Sequence, residues 1–281
     1  MIPLAIPNLT GKEAEYTAEV VKSGWVGPDG PFVGRFEDLV AEAAGREWAV
    51  AVTSGTAALR VAATVLGFKD QAVGVPADAY PAALHVFALM GCEVSIIDDG
   101  AYHDGQMYSH QPLLSLCDRA PAIGNPSTNA TLETYSFNTT KTVTTGGGGV
   151  VVGDDRGLHE AVREIIRQGH GRPGAFNYRM PNLNAAVGCA QMERLEEFRE
   201  IKRRIWDRYA EAGLAMIDRG PSRWMATCSK DNLRVCHLVD TKKVEAKIEL
   251  RPEPFGGISL PCSTSLTEAD QDIVIKACTV F

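Results

Sequence analysis

The sequence predicts an α/β fold with a mainly parallel sheet covered by helices, followed by a small C-terminal α+β domain. Two observations carry this. Short apolar, β-branched runs alternate with stretches of helical periodicity through most of the chain, the mark of strands joined by crossover helices. After Gly213 the pattern changes to short strand-like pieces and one closing helix. With 281 residues, 45% of them apolar, the chain can bury a sizeable core. The expected division is a large domain over residues 1–212, including an N-terminal arm over 1–30, and a small domain over 213–281.

Each element follows from local pattern. "FEDLVAEAAG", from Phe36 to Gly45, has helical spacing and stops on a glycine, and "WAVAVTS" then reads as a strand. "GTAALRVAATVLGF" places Leu59, Ala62, Ala63 and Leu66 on one helical face. "AVGVPA" reads as a strand, "YPAALHVFALMG" as a helix and "CEVSIID" as a strand. Between Asp98 and Leu113 the chain turns polar and reads as a loop. "LLSLCD", "ETYSFN" and "GVVVGDD" resume as strands, and "LHEAVREIIRQG" is a helix. From Leu183, the positions Val187, Ala190, Leu195, Phe198, Ile201, Ile205 and Tyr209 predict one long amphipathic helix. Beyond it, "RWMATCS", "LRVCHLV" and "GISLPC" read as strands and "EADQDIVIKAC" as the last helix.

Composition excludes several classes. A net charge of -7 argues against a nucleic-acid surface, which needs clustered Lys and Arg. The basic run Lys202, Arg203 and Arg204 falls inside an amphipathic pattern and reads as a solvated helix face. The 7 cysteines have no CxxC spacing and read as reduced thiols of a cytoplasmic protein, neither a disulfide frame nor a zinc site. No stretch has the length and apolarity of a membrane span, and the N-terminus does not have the pattern of a secretory signal. The expectation is a soluble protein that binds neither nucleic acid nor membrane.

Three short stretches could carry chemistry. In "TSGTAAL" a strand ends at Thr53 and a helix starts near Thr56, so Gly55 and Thr56 offer a phosphate cradle or an ordinary capped helix start. The GxGxxG and P-loop fingerprints are absent. Asp118 ends a strand, where ligands bind in open α/β sheets, or caps the following turn. Lys141 stands between Ser136 and the run Gly146 to Gly149; it is a surface charge or, if desolvated, a nucleophilic amine. The glycine run suits a tight turn or a close backbone approach. An amine, a carboxylate and a phosphate cradle are together what pyridoxal phosphate needs, and Tyr80 could stack on its ring.

The stretches "SGWVGPDGPFVGRFE", "AVAVTSGTAAL", "SFNTTKTVTTGGGGVVV" and "FNYRMPNLNAAVGCAQMERL" resemble, in order, the signatures of the DegT/DnrJ/EryC1/StrS aminotransferases. These are sugar aminotransferases of the fold type I pyridoxal phosphate enzymes, with an aspartate aminotransferase-like fold. A weaker likeness continues at "ISLPCSTSLTEADQD". The resemblance implies that Lys141 forms the Schiff base with the cofactor and then moves the proton, and that Asp118 pairs with the pyridinium nitrogen. It implies a phosphate site made by Gly55, Thr56 and Ser136, with Tyr80 stacked on the ring. It places Asn177 where a residue reaches the neighbouring subunit's phosphate, and so implies a homodimer with shared active sites. The implied reaction is transamination of a nucleotide-linked keto sugar, of the 4-keto-6-deoxy kind, with glutamate as donor. The alternatives are a catalytically impaired binding or regulatory protein and a sugar dehydratase; the dehydratases of this kind replace the lysine with histidine.

The sequence departs from the family in two places. Asp118 stands in "CDRAPA", where the family has a motif like "EDAAQA", so Pro121 replaces a cofactor contact. The chain is also shorter between Asp98 and Asp118, by roughly one βα unit, and near its C-terminal end. Trp25, Val26 and His170 to Arg172 could approach substrate, and Arg179 could bind a carboxylate or phosphate or form an ion pair.

Overall fold

Residues 2–76, 79–97, 106–111, 114–128, 130–167, 175–217, 226–228, 247–249 and 257–279 are described by the computed structural model. The elements in chain order are α1 (Glu13–Ser23), α2 (Pro31–Ala44), β1 (Trp48–Val52), α3 (Gly55–Val65), β2 (Ala72–Pro76), α4 (Pro81–Leu89), β3 (Glu93–Ile97), β4 (Gln106–Gln111), β5 (Leu114–Asp118) and β6 (Leu132–Ser136). They continue as β7 (Gly149–Gly153), α5 (Arg156–Ile166), α6 (Asn182–Met192), α7 (Leu195–Glu211), β8 (Ala226–Cys228), β9 (Lys247–Glu249), β10 (Gly257–Leu260) and α8 (Glu268–Thr279).

The central sheet has five strands in the order β1-β7-β6-β5-β4. β5 pairs in parallel with β6, whereas β7 is antiparallel to both β1 and β6, and β4 is antiparallel to β5. Thus β1, β5 and β6 run one way and β4 and β7 the other. β2 and β3 form a parallel pair next to β4. The parallel character expected from the sequence lies in these two sets; β7 follows β6 through the loop 137–148 and pairs with it antiparallel.

Both faces of the sheet are covered, and alternation along the strands shows how. Ala49 and Ala51 of β1 and Val150 and Val152 of β7 pack with Phe36 and Val40 of α2 and Ala185, Ala186 and Cys189 of α6. Val50 and Val52 of β1 and Val151 of β7 pack on the opposite face with α3, α4 and α5. Strands covered twice lose the polar-out alternation, which is why β1 is buried at every position. Burying a side chain as fully as Phe36, at 0% exposure, contributes about 1.5–3 kcal/mol. A third cluster joins Ile205 and Tyr209 of α7 to Ala226, Cys228, Leu260, Val274 and Cys278, with Ile2 from the N-terminal arm.

Two expectations need correction. The long helix expected from Leu183 is two helices, broken at Glu193 and Arg194. Glu193 accepts from the Tyr16 hydroxyl and pairs with Lys12 and Arg35, while the Arg194 guanidinium pairs with Glu197. The break lets α6 pack on the central sheet while α7 reaches the C-terminal cluster. The polar stretch read as loop contains β4, which the burial of Tyr108 secures against Phe87. The N-terminal arm contains a helix, α1, which buries Tyr16 and Val20 and ends on Gly24 at a φ of 73°. The piece "LRVCHLV" lies outside the described residues.

Candidate active site

The start of α3 is held by its neighbours. Ser54 caps the helix, its hydroxyl accepting from Ala57 N–H at 3.0 Å, and Ala58 N–H bonds back to the Ser54 carbonyl at 2.9 Å. The N–H groups of Gly55 and Thr56 belong to the first turn, which a helix cannot pair within itself. Ser54 is the cap, as the capped-start reading of "TSGTAAL" expects, and the helix has its positive end here. A Cβ on Gly55 would lie 2.7 Å from Ser136 Cβ, and one on Gly149 would lie 2.2 Å from the Ser54 carbonyl oxygen. The ends of β1 and β6 and the start of β7 thus meet at this helix end, with room for backbone alone.

Asp118 closes β5, opposite Thr134 of β6. Its Oδ1 accepts from Ala120 N–H at 3.1 Å and from the Thr134 hydroxyl at 3.4 Å. Burial pushes the carboxyl above its ordinary value, against the pull of the Ala120 N–H, the Lys141 charge and the Thr134 hydroxyl. Lys141 is therefore close enough to act on Asp118 electrostatically.

Lys141 sits on a closed loop between β6 and β7. Phe137 N–H donates to the Gly148 carbonyl at 2.9 Å, and Thr145 N–H donates back to Phe137 at 3.0 Å. The Thr144 hydroxyl also donates to the Phe137 carbonyl, at 3.0 Å, and Asn184 of α6 donates to the Thr145 carbonyl at 2.9 Å. Inside this ring, Lys141 N–H bonds to the Asn138 carbonyl at 2.9 Å. The glycine run serves both purposes read from the sequence: Gly146 has a φ of 80°, and Gly148 and Gly149 are in close contact with Met180 and Ser54.

The remaining candidates are less concentrated. Tyr80, at the start of α4, is 63% exposed. Asn177 is exposed and bridges Arg167. Arg179 is in an ion pair with Asp29 at 2.7 Å, which Arg167 joins at 3.2 Å. Trp25 is 54% exposed with its indole N–H donating to the Pro28 carbonyl at 3.0 Å. Pro121 is buried in the turn that joins Arg119 to Ala122. His170 to Arg172 lie outside the described residues. Among the described residues no cluster of His, Cys, Asp or Glu could hold a metal, and no helix is long and apolar enough to cross a membrane.

The sequence profile of the DegT/DnrJ/EryC1/StrS aminotransferase family matches residues 7–103 and 116–249. The chain belongs to the DegT/DnrJ/EryC1/StrS aminotransferase family. It is 32% identical over 266 positions to GDP-perosamine synthase of Vibrio cholerae, covering 77% of this chain and 72% of that protein. It is 29% identical to EpsN of Bacillus subtilis (strain 168) over 369 positions, covering 98% of this chain and 94% of that one. That alignment is longer than this chain of 281 residues, so the relative carries segments this chain does not. Spr1654 from Streptococcus pneumoniae in its PLP-form superposes with a TM-score of 0.85 at 18% identity, over 99% of this chain and 97% of that one. The fold is that of the fold type I enzymes.

As a family member the protein is an aminotransferase with pyridoxal 5′-phosphate as cofactor. The residues present fit that group: a cradle that a Cβ at Gly55 would fill, a hydroxyl at Ser136 beside it, and a half-buried carboxylate on which the Lys141 charge acts. The family match breaks at residues 104–115, where β4 stands; an antiparallel hairpin to β5 closes this edge of the sheet.

Sequence reasoning missed what stands behind Asp118. Arg119 and Glu133 are both fully buried and pair at 3.1 Å, and Arg46 reaches the other Glu133 oxygen at 3.1 Å. Tyr135 donates to Glu133 at 2.7 Å. Burial alone would raise the Glu133 carboxyl, but hydrogen bonds from Tyr135 and Thr128 and the Arg119 charge hold it below its ordinary value. The signal was available: a glutamate inside a strand otherwise buried demands a cation.

Proposed function

We propose that the protein transfers an amino group from glutamate to a nucleotide-linked keto sugar, of the 4-keto-6-deoxy kind. The observation that carries this is Asp118 at the end of β5, on which the Lys141 charge acts, together with the start of α3, where Gly55 and Ser136 meet. In that arrangement the backbone of Gly55 and Thr56 and the hydroxyls of Thr56 and Ser136 hold the phosphate. Asp118 would hold a proton on the ring nitrogen, and Tyr80 would be the side chain to cover the ring face. The bound cofactor supplies an electron sink for the carbon that carries the amine. Lys141 Nζ would hold the proton taken from that carbon and give a proton back at the carbon that accepts the amine.

Support for a sugar acceptor is the family itself and a relative whose product is GDP-linked. The proposal includes a homodimer in which the exposed Asn177 completes the partner's phosphate site, units over 1–212 and 213–281, and a cytoplasmic location. One observation favours a rival, a binding or regulatory protein without turnover: the family match is interrupted beside Asp118, and Pro121 stands in the adjoining turn. A dehydratase is disfavoured by Lys141. The test is amino transfer from glutamate to a panel of nucleotide keto sugars. Turnover is expected, and none despite bound cofactor would overturn the reading.

A further inference from the structure

Behind Asp118 the sheet carries a polar network on its other face. Side chains alternate along a strand, and the register sets Asp118 opposite Thr134 and Cys117 opposite Glu133. Asp118, Thr134 and Ser136 therefore share the face that meets the start of α3, where Ser136 adjoins Gly55. Arg119, Glu133 and Tyr135 share the opposite face, where Tyr135 packs in the cluster of α2 and α6. Glu133 is the hub. Its Oε2 accepts from Arg119 Nη1 at 3.1 Å and from the Tyr135 hydroxyl at 2.7 Å. Its Oε1 accepts from Arg46 Nη1 at 3.1 Å, from Thr128 N–H at 2.7 Å and from the Ser127 and Thr128 hydroxyls at 2.8 Å each. Arg119 also donates to the Tyr135 hydroxyl at 3.1 Å.

Stability alone does not call for such an arrangement. Apolar side chains of the same size commonly match or better a buried ion pair; what the pair can add is one defined geometry. Here that geometry bears on Asp118. Arg119 follows it directly, and its N–H donates to the Thr134 carbonyl at 2.8 Å, while Ser136 N–H donates to the Ala120 carbonyl at 3.3 Å before the chain turns at Ala122. Holding Arg119 to Glu133 thus fixes the strand end on which Asp118 stands. On the site face the carboxylate is held more loosely, its Oδ1 accepting from Ala120 N–H two residues on and from the Thr134 hydroxyl at a long 3.4 Å. A group that meets a cofactor must be held to within about 0.5 Å by side chains locked behind it. We propose that Glu133 is a positioning residue for Asp118, acting through Arg119 and locked by Tyr135, and that it fixes where the carboxylate meets the cofactor. The inference rests on the cofactor role proposed above for Asp118 and deepens it.

The test is a double-mutant cycle read by pyridoxal phosphate affinity, which needs no turnover. Tyr135→Phe and the paired replacement Arg119→Met with Glu133→Gln are each made in wild type and in Asp118→Asn. The dissociation constant is measured by equilibrium dialysis and the melting temperature by calorimetry. Groups acting as one unit are non-additive: the constant should rise about tenfold for the paired replacement and about threefold for Tyr135→Phe when Asp118 is present, and less than about twofold for either in Asp118→Asn. A merely structural network would lower the melting temperature and weaken the cofactor equally in both backgrounds. The paired replacement removes a buried ion pair and could fold poorly, so Tyr135→Phe, which removes one hydroxyl, decides alone. Equal weakening in the two backgrounds, or none in a folded Tyr135→Phe, overturns the positioning role while wild type still binds the cofactor. Wild type that binds no pyridoxal phosphate overturns the cofactor reading itself.

Discussion

Asp118 carries opposite demands in cofactor-free protein and in the proposed cofactor complex. Its carboxyl is raised by burial, so the folded state binds its proton more tightly than the unfolded chain does. For a carboxyl raised in this way, stability falls as pH rises through the folded value, since ionising it costs more in the folded protein than in the unfolded chain. Asp118→Asn should therefore melt a few degrees higher than wild type in cofactor-free protein at neutral pH, by differential scanning calorimetry. It should also lose at least about a hundredfold in kcat/KM, on the scale of lost electrostatic stabilisation at a reacting centre. Glu133 behaves the other way. Its carboxyl is held low, so its contribution is present above the ordinary carboxylate range and is lost as pH falls through its folded value. Glu133→Gln leaves Arg119 and Arg46 without their shared anion and should cost about 3–5 kcal/mol in urea unfolding at neutral pH, and it should flatten the acid limb of the stability profile. Both residues could be read in the sequence, but only Asp118 had a role there. The strand position of Glu133 shows that it is buried, while its two arginine partners come from distant parts of the chain that no spacing connects.

The elements that build the candidate site are the start of α3, the loop between β6 and β7, and the first residue of β7. Their contact is a steric one. Gly149→Ala would place a methyl 2.2 Å from the Ser54 carbonyl oxygen, which is backbone and cannot swing aside. Overpacking of this kind costs about 1–3 kcal/mol and sometimes more, and here it also displaces the helix end. The expected result is a lower melting temperature together with cofactor affinity reduced by at least about tenfold, measured by equilibrium dialysis; unchanged affinity would show that the cradle lies elsewhere. The strands β1, β5, β6 and β7 and helices α2 to α5 were legible because apolar periodicity follows directly from burial on one or two faces. What was not legible follows from tertiary contact. The break between α6 and α7 is set by Tyr16, Lys12 and Arg35 gripping Glu193, and β4 is a polar strand whose only inward anchor among the described residues is Tyr108. Lys202 looked like part of a solvated basic face; the arm and the turn at Cys262 bury it.

At the scale of the whole molecule, the proposed dimer makes a prediction that a monomer cannot satisfy. If Asn177 serves the partner's site, mixing inactive Lys141→Ala chains with impaired Asn177→Ala chains should restore activity. In equal, freely exchanging mixtures half the dimers are mixed and each holds one intact site, so roughly a quarter of the wild-type activity should return. No recovery after exchange, checked by light scattering, would place each site within one chain. β4, in the stretch 104–115 where the family match breaks, pairs with the strand that ends at Asp118, whereas the proposed phosphate cradle lies around α3 and the Lys141 loop. The account therefore stands or falls on whether that lysine holds the cofactor. The most direct measurement is the visible absorption spectrum of the purified protein with added pyridoxal phosphate, before and after glutamate, with Lys141→Ala alongside. A yellow band in wild type that glutamate bleaches and that Lys141→Ala lacks is the predicted result; no band in wild type, or the same band in Lys141→Ala, would contradict it.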